Sequence, residues 1–188
     1  INNNTTIYEK LNYNCGSEYV VNSKKIPENV YDKDKLYASL DGDADRVVFY
    51  FYSSNLNKLC ILNGDKISAL IAMYLNKKNI KGNIAFIHTG YSNDAFLEFI
   101  IKLGFKTICT ASGVKNLHKE AKKYDIGVYF EPNGHGTILF NKVIQEFSEL
   151  SKYYSQVIGD GLMNIAGILF ILRELSLNLD DWYNLYDE

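Results

Sequence analysis

The spacing of hydrophobic residues predicts a regular alternation of strands and helices from residue 36 onward. Short apolar and β-branched runs are typical of buried strands, and apolar residues that recur every three or four positions are typical of amphipathic helices. We predict strands at residues 18–21, 36–40, 47–52, 60–62, 83–88, 106–110, 126–131 and 137–140. We predict helices near residues 64–75, 96–103, 114–124, 142–154, 161–175 and 180–185. This alternation is typical of an α/β domain with a largely parallel sheet.

Polar residues at the starts of several predicted helices support this assignment. Ser92 or Asn93 precedes the helix near 96–103, Asp160 precedes the helix at 161–175, and Asp180 begins the last one. The short polar side chain of such a residue can accept a hydrogen bond from the first free N–H groups of a helix. We therefore expect these residues to act as N-caps.

Composition and charge restrict the classes of protein to which the chain can belong. The 188 residues are 47% hydrophobic and 22% charged, which is enough for a buried core. The net charge of -2 argues against a dedicated nucleic-acid-binding protein. No apolar run approaches the roughly 18 residues of a membrane span. Three widely spaced cysteines form no C-x-x-C pair, which favours a reducing compartment over a zinc site or a disulfide framework.

The strongest chemical signal is the acidic segment DGDADR at residues 41–46, between two predicted strands. Asp41, Asp43 and Asp45 place three carboxylates at alternate positions of a tight turn. Mg²⁺ prefers such oxygen ligands, and a bound cation explains three neighbouring like charges better than solvent does. A solvated acidic turn is the alternative interpretation.

Two other kinds of acidic loop do not match this segment. An EF-hand needs Gly at the sixth position and Glu at the twelfth, where this chain has Arg46 and Tyr52. A phosphatase loop of the D-x-D-x-T type would have Thr where Asp45 stands. The spacing therefore favours a metal loop of another kind.

Several motifs, taken in order, resemble one enzyme family. DGDADR after a buried strand is similar to the metal loop of the α-D-phosphohexomutases. Further along, the chain reads NGDKI at 63–67, ASGVKNLH at 111–118 and DIGVYFEPNGHGT at 125–137. These motifs, together with residues 159–186, are similar to the phosphoacetylglucosamine mutases. The resemblance extends from residue 15 to the C-terminus and is more specific than the acidic loop alone.

The resemblance implies a fold and an activity. Members of the family have four domains and interconvert N-acetylglucosamine 6-phosphate and 1-phosphate for UDP-N-acetylglucosamine synthesis. They use a phosphoserine in the first domain and Mg²⁺ in the second. The implied fold is a three-layer α/β domain with a mixed, largely parallel sheet, preceded by the C-terminal part of a similar domain. We assign residues 1–52 to the end of the metal-binding second domain and residues 53–188 to the sugar-binding third domain.

The resemblance also implies roles for the acidic segment. By position, Asp41, Asp43 and Asp45 would be the Mg²⁺ ligands. Arg46 would either contact a phosphate or support the loop through a salt bridge to the aspartates. A cation suits phosphoryl transfer, because that chemistry depends on positioning and charge neutralisation.

Two further loops match the family near the sugar. Glu131, Asn133 and His135 match the sugar-binding loop, although on residue type alone the last two would more often be turn formers. A carboxylate accepts hydrogen bonds from sugar hydroxyls, and an amide and an imidazole both donate and accept. The segment with Ser112, Gly113 and Lys115 matches the other loop.

Each residue of that other loop has an additional interpretation. Ser112 is also a candidate N-cap, and Gly113 would permit close approach of a ligand. Lys115 would meet a phosphate or remain solvated, and His118, one helical turn further on, is expected to be structural.

The family motifs that this sequence lacks limit what it is expected to do. It has no phosphoserine motif like TASHNP and no phosphate loop of the RSGT type, so we expect the first and fourth domains to be absent. No catalytic residue is then expected in this chain, and the chain alone should be inactive. The expected partners are a small sugar phosphate and the remaining domains of its own polypeptide, in the cytoplasm, with no nucleic acid and no membrane.

Two alternatives to this function stay open. One is a phosphoglucomutase or phosphomannomutase of the same superfamily, and the other is a non-catalytic sugar-phosphate-binding or interaction domain. The EPNGH sequence at residues 131–135 favours the N-acetyl sugar, because the other mutases usually read GEMSGH.

Overall fold

Two β-sheets organise the described part of the chain. The structure is a computed structural model that describes residues 12–28, 30, 32–142 and 149–187. The first sheet is an antiparallel meander of β1 (Tyr37–Leu40), β2 (Val47–Ser53) and β3 (Lys58–Leu62) in chain order. Its central strand, β2, is rich in β-branched and aromatic residues and is buried along almost its whole length.

The second sheet is mixed and largely parallel. Its strands are β4 (Ile84–Thr89), β5 (Lys106–Thr110), β6 (Ile126–Phe130) and β7 (Gly136–Phe140). They lie in the order β5, β4, β6, β7, where β4 runs parallel to both of its neighbours and β7 runs antiparallel to β6. The predicted sheet type is therefore confirmed.

Helices cover both faces of the second sheet. The helices of the chain are α1 (Ser17–Ser23), α2 (Gly64–Lys77), α3 (Asp94–Lys102), α4 (Val114–Ala121), α5 (Gly161–Leu175) and α6 (Leu179–Tyr183), with a 3₁₀ helix at Leu150–Tyr153. Of these, α1 packs against β2 of the first sheet. Alternate strand residues face opposite layers: Phe86 and Val128 share a core with α2 and α5, whereas Ile87 and Tyr129 pack with Leu117 of α4. This arrangement confirms the predicted three-layer α/β architecture.

The starts of the helices follow polar side chains. Asn63 accepts a hydrogen bond from the Lys66 N–H at the start of α2. Asn93, one of the two predicted candidates, caps α3, and Asp160 caps α5 as predicted. The Asp160 cap fixes the start of α5 at Gly161. The acidic loop contacts α5 at this same residue, because the Gly161 N–H donates to the Ala44 carbonyl oxygen.

The predictions for residues 18–21 and for the cap of the last helix are wrong. Residues 18–21 belong to helix α1 rather than to a strand, because this segment buries Val20 against Val48 and Tyr50 of β2 instead of pairing with a strand. Asn178 rather than Asp180 caps α6: its side chain accepts from the Asp181 N–H at 2.7 Å.

The helix predicted at residues 142–154 is only partly covered. Residues 143–148 lie outside the described residues, and the end of the stretch is the 3₁₀ helix at Leu150–Tyr153 rather than an α-helix. Strand β3 pairs with β2 across residues 52 and 53, where the sequence suggests a domain boundary, and the division into two domains stays a prediction. Among the described residues, no helix has both the length and the apolar character that a membrane crossing requires.

Candidate functional site

The acidic loop connects β1 to β2 and gathers three carboxylates. Asp41, Asp43 and Asp45 each offer one oxygen to a group whose three atoms lie within 4.8 Å of one another. The turn is tight, since Ala44 has a φ of 61° and its N–H donates to the Asp41 carbonyl oxygen at 3.3 Å. The N–H of Gly161 holds the Ala44 carbonyl oxygen at 2.8 Å, which ties the loop to the start of α5. The structure thus brings the predicted metal ligands together.

Arg46 is the basic residue that follows the carboxylates. Its backbone N–H donates to Asp41 Oδ1 at 3.1 Å, and its Nε lies 3.4 Å from Asp41 Oδ2 and 3.7 Å from Asp45 Oδ1. Its terminal nitrogen Nη1 pairs with Glu18 on α1 at 3.3 Å. The geometry therefore fits the expected loop support, and one guanidinium faces several carboxylates.

The charge and the hydrogen bonding of the carboxylate cluster suit a bound cation. Burial raises the pKa of Asp45 above its ordinary value. The nearby His135 lowers this pKa, whereas the negative charges of Asp41 and Asp43 raise it further. Asp45 Oδ1 is buried and has no hydrogen-bond partner among the described residues. Oxygen donors this close together suit Mg²⁺. The residues present therefore fit the metal that the resemblance implies.

The loop between β6 and β7 carries the predicted sugar-binding residues. The Gly134 N–H donates to the Glu131 carbonyl oxygen, and the Glu131 N–H donates to the His135 carbonyl oxygen, both at 2.8 Å. The side-chain oxygen of Asn133 accepts from the His135 N–H at 2.9 Å. Asn133 therefore has the turn-forming contact that its residue type suggests, whereas its role toward a sugar stays a prediction.

The acidic loop and the β6–β7 loop touch each other. Arg46 and His135 form an isolated antiparallel bridge, and the Val47 N–H donates to the Gly134 carbonyl oxygen at 3.2 Å. The imidazole Nδ1 of His135 lies 2.9 Å from Asp45 Oδ2. Gly134 is required here, because its φ is +89° and a Cβ would lie 2.0 Å from the Val47 carbonyl oxygen. Nothing in the sequence signals this contact, since the two loops are far apart along the chain.

The start of α4 meets the sugar loop from the other side. The Gly113 N–H donates to Glu131 Oε1 at 3.3 Å. The prediction that Ser112 caps this helix is wrong: Gly113, with a φ of +108°, occupies the N-cap position, and the Ser112 carbonyl oxygen accepts from the Asn116 side chain. Ser112 and Lys115 are both exposed at this edge of the site.

A cleft of about 450 Å³ lies between α4 and the acidic loop. Its polar lining comprises Asp45, Lys115, His118, Lys119, Lys122 and His135. His118 Nδ1 lies 3.0 Å from the hydroxyl oxygen of Tyr129, and burial together with the Lys122 charge lowers the pKa of His118. This partnered histidine suits the structural role that we predict for it.

Sequence reasoning missed several residues around this cleft. Lys119 on α4 and Lys122 at its C-cap follow the predicted Lys115 at intervals of about one helical turn, a spacing that could have revealed a basic face. Val157 and Ile158 line the cleft and are more than half exposed, and Glu18 reaches the site through Arg46. No sequence signal marks those three residues, because their position depends on tertiary packing.

Comparison with solved structures defines the class of protein. An N-acetylglucosamine-phosphate mutase in the apo form, described as a member of the α-D-phosphohexomutase superfamily, matches the whole chain with a TM-score of 0.92 and 35% identity, over 46% of its own length. An Aspergillus fumigatus N-acetylphosphoglucosamine mutase, in complex with GlcNAc-6P and magnesium, matches the whole chain with a TM-score of 0.90 and 31% identity, over 40% of its length. The fold is that of a phosphohexomutase.

Sequence comparisons narrow this class to one family. The family model for phosphoacetylglucosamine mutase AMG1, domain III, matches residues 63–156, and the model for domain II matches residues 1–48. The phosphoacetylglucosamine mutase of Candida albicans is 39% identical over 95% of this chain and 38% of its own length. The chain belongs to the phosphoacetylglucosamine mutase family. It spans about two fifths of the length of the curated relatives that it matches.

Proposed function

We propose that this chain forms the metal-binding and sugar-binding core of a phosphoacetylglucosamine mutase, which interconverts N-acetylglucosamine 6-phosphate and N-acetylglucosamine 1-phosphate. The observation that carries the proposal is the contact between the two loops, where His135 of the sugar loop meets Asp45 of the acidic loop at 2.9 Å. A sugar phosphate held by one loop would then lie beside a cation held by the other. The family assignment does not favour a phosphoglucomutase or a phosphomannomutase.

The acidic loop would hold Mg²⁺ through Asp41, Asp43 and Asp45. When bound, Mg²⁺ supplies charge neutralisation for the phosphoryl oxygens that are transferred. Arg46 lies beside this cluster and would hold the carboxylates in place when the loop carries its full negative charge.

The sugar loop and the start of α4 would orient the substrate. The Glu131 carboxylate would accept hydrogen bonds from two adjacent sugar hydroxyls, and its contact with Gly113 directs it toward α4. Asn133, His135, Ser112 and the backbone of Gly113 complete this set of proposed contacts. Lys115 lies in the same cleft as Asp45 and would meet a phosphate as a point charge.

The remaining parts of the reaction would come from elsewhere in the parent polypeptide. We propose that its other domains supply the phosphoserine and the clamp for the second phosphate, so these domains are partners of this chain. We also propose a cytoplasmic location, which the three unpaired cysteines support. The product would serve UDP-N-acetylglucosamine synthesis.

The proposal is tested with the polypeptide that contains all four domains. We expect its kcat/KM for N-acetylglucosamine 6-phosphate to exceed clearly that for glucose 6-phosphate, when Mg²⁺ and the matching bisphosphate are present. The 188-residue chain, assayed in parallel, should show no turnover. A preference for glucose 6-phosphate, or turnover that is independent of Mg²⁺, would contradict the proposal.

A further inference from the structure

We propose that His135 is a positioning residue for the metal loop, in addition to any contact with the sugar. Its imidazole holds the Asp45 carboxylate in the orientation that a cation needs. The inference rests on the metal site of the proposed function, and it assigns to a residue of the sugar loop a task in metal binding that is independent of the sugar.

The imidazole of His135 is in close contact with the Asp45 carboxylate. Nδ1 of His135 lies 2.9 Å from Asp45 Oδ2, and the histidine side chain is only 11% exposed. An ionised carboxylate only accepts hydrogen bonds, so Nδ1 must carry the proton and donate it. The nearest approach of Arg46 to Asp45 is longer, at 3.7 Å. Among the described basic side chains, His135 therefore makes the shortest contact with Asp45.

The imidazole of His135 is itself held in place. The backbone of His135 is bridged to Arg46, and the adjacent Gly136 carbonyl oxygen accepts from the buried Asn164 side chain at 2.9 Å. On the far side of the ring, a Cβ at Gly159 would lie 2.9 Å from Nε2, so glycine leaves just enough room for the imidazole. A ring fixed on these sides can transmit its orientation to Asp45.

The contact with His135 leaves one oxygen of the Asp45 carboxylate available for a cation. With Oδ2 bound by His135, the other oxygen of Asp45, Oδ1, is buried and has no hydrogen-bond partner among the described residues. Partners that orient a metal ligand in this way typically change metal affinity by about 10–100-fold when they are removed. A direct effect of His135 on metal affinity should therefore be measurable.

The test compares two amides that replace different nitrogens of the imidazole. In His135→Asn the amide lies near the position of Nδ1 and can still donate to Asp45, whereas in His135→Gln it lies nearer to Nε2. Mn²⁺ binding to the 188-residue chain is measured by electron paramagnetic resonance, with no sugar phosphate present. We expect His135→Gln to weaken Mn²⁺ binding by about 10–100-fold, and His135→Asn to retain most of the affinity.

Two further variants separate this role from others. Gly159→Ala keeps the imidazole but displaces it, and we expect an intermediate loss of Mn²⁺ affinity. Glu98→Gln removes an exposed carboxylate of α3, outside both loops, and should leave Mn²⁺ binding unchanged. In the metal-free protein, the long-range proton–nitrogen spectrum of the imidazole should show the His135 proton on Nδ1. Circular dichroism of each variant confirms that it is folded.

The outcomes distinguish this inference from the proposed function. If wild type binds Mn²⁺ and folded His135→Gln binds it equally well, His135 does not position the loop, and the metal site itself stands. Equal losses in His135→Asn and His135→Gln would also overturn the inference. If His135→Gln does not fold, unchanged binding in Gly159→Ala overturns it instead. If wild type does not bind Mn²⁺, the metal site and this inference both fail.

Discussion

Two polar centres of this molecule differ in how far the protein itself supplies partners for their charged groups. One is the acidic loop, where three carboxylates cluster and the Arg46 guanidinium pairs with two of them, Asp41 and Asp45. The other is the Lys66 centre, which we define as Lys66 of α2 with its partners Tyr183, Trp182 and Tyr186. The first leaves a buried carboxylate oxygen without a hydrogen-bond partner among the described residues, whereas the ammonium of the second has closely placed partners.

The Lys66 centre is completed from within the protein. Lys66 is 1% exposed, and its ammonium donates to the carbonyl oxygens of Tyr183 and Tyr186 at 2.6 and 2.8 Å. The ammonium also lies 3.5 Å from the centre of the Tyr186 ring. In return, the Trp182 indole N–H donates to the Lys66 carbonyl oxygen at 2.8 Å. These contacts join α2 to the C-terminal segment. They also compensate the buried ammonium charge with partners from the protein itself.

The contrast between the acidic loop and the Lys66 centre distinguishes a structural charge from a functional one. A buried charge whose partners all lie in the protein stabilises the fold, and its removal should leave unsatisfied groups behind. A cluster with an excess of like charge destabilises the folded protein when no ligand is bound. The folded protein should therefore become more stable when one of these charges is removed.

The largest effect is expected for Lys66→Met, which leaves two buried carbonyl oxygens without their donor. We expect the free energy of unfolding to fall by about 3–5 kcal/mol, as measured by urea denaturation. Lys77→Met is the matched control, because this exposed lysine of α2 also donates to a carbonyl oxygen, that of Leu175, at 3.2 Å. A loss in Lys66→Met no larger than in the control would show that the centre is not structural.

Asp43→Asn should have the opposite pattern. We expect Mn²⁺ or Mg²⁺ affinity to fall by about 100-fold, which equals about 2.7 kcal/mol, and most Mg²⁺-dependent turnover of the four-domain protein to disappear. In metal-free buffer the free energy of unfolding should stay constant or rise by up to about 1 kcal/mol. Asp32→Asn, an acidic residue outside the loop, should change neither quantity. Metal affinity or turnover near the wild-type value in Asp43→Asn would remove Asp43 from the ligand set.

Glu131→Ala should act on the sugar and leave the metal and the fold unchanged. Loss of one carboxylate that accepts from hydroxyls should weaken N-acetylglucosamine 6-phosphate binding by about tenfold, which corresponds to about 1.4 kcal/mol. Isothermal titration calorimetry measures the binding, and Glu98→Ala on the exposed face of α3 is the control. An unchanged affinity and an unchanged turnover rate in Glu131→Ala would exclude Glu131 from the site.

The smallest effect is expected for His118, which is only partly buried. Burial and the Lys122 charge hold its pKa below the ordinary value. As the pH falls through the ordinary range of histidine, the unfolded chain therefore binds a proton that folded His118 does not, and stability decreases. Urea midpoints at neutral and mildly acidic pH should differ more for wild type than for His118→Asn. An identical pH dependence would contradict this account.

Much of the fold could be predicted because its signals are local. The apolar face with Ile67, Leu70 and Ile71 predicts α2, and the β-branched and aromatic run of β2 predicts a buried strand. The segment at residues 18–21 shows the limit of this reasoning. Its β-forming residues suggest a strand, but packing of Val20 against β2 selects a helix.

The candidate site could be predicted in part for the same reason. The spacing of the three aspartates in one loop points to a cation, since all of them belong to a single turn. The contact between His135 and Asp45 could not be predicted, because it depends on how the β6–β7 loop lies against the β1–β2 loop. Ser112 fails as a cap because Gly113, not Ser112, occupies the N-cap position of α4.

The central claim is that the metal loop and the sugar loop form one site. The most direct measurement is calorimetric titration of the 188-residue chain with N-acetylglucosamine 6-phosphate, with and without Mg²⁺, on wild type and on Asp43→Asn. We predict that Mg²⁺ strengthens sugar-phosphate binding to the wild-type chain, and that this strengthening is lost in Asp43→Asn. Equal affinity with and without Mg²⁺ in the wild-type chain would contradict the claim and show that the two loops bind independently.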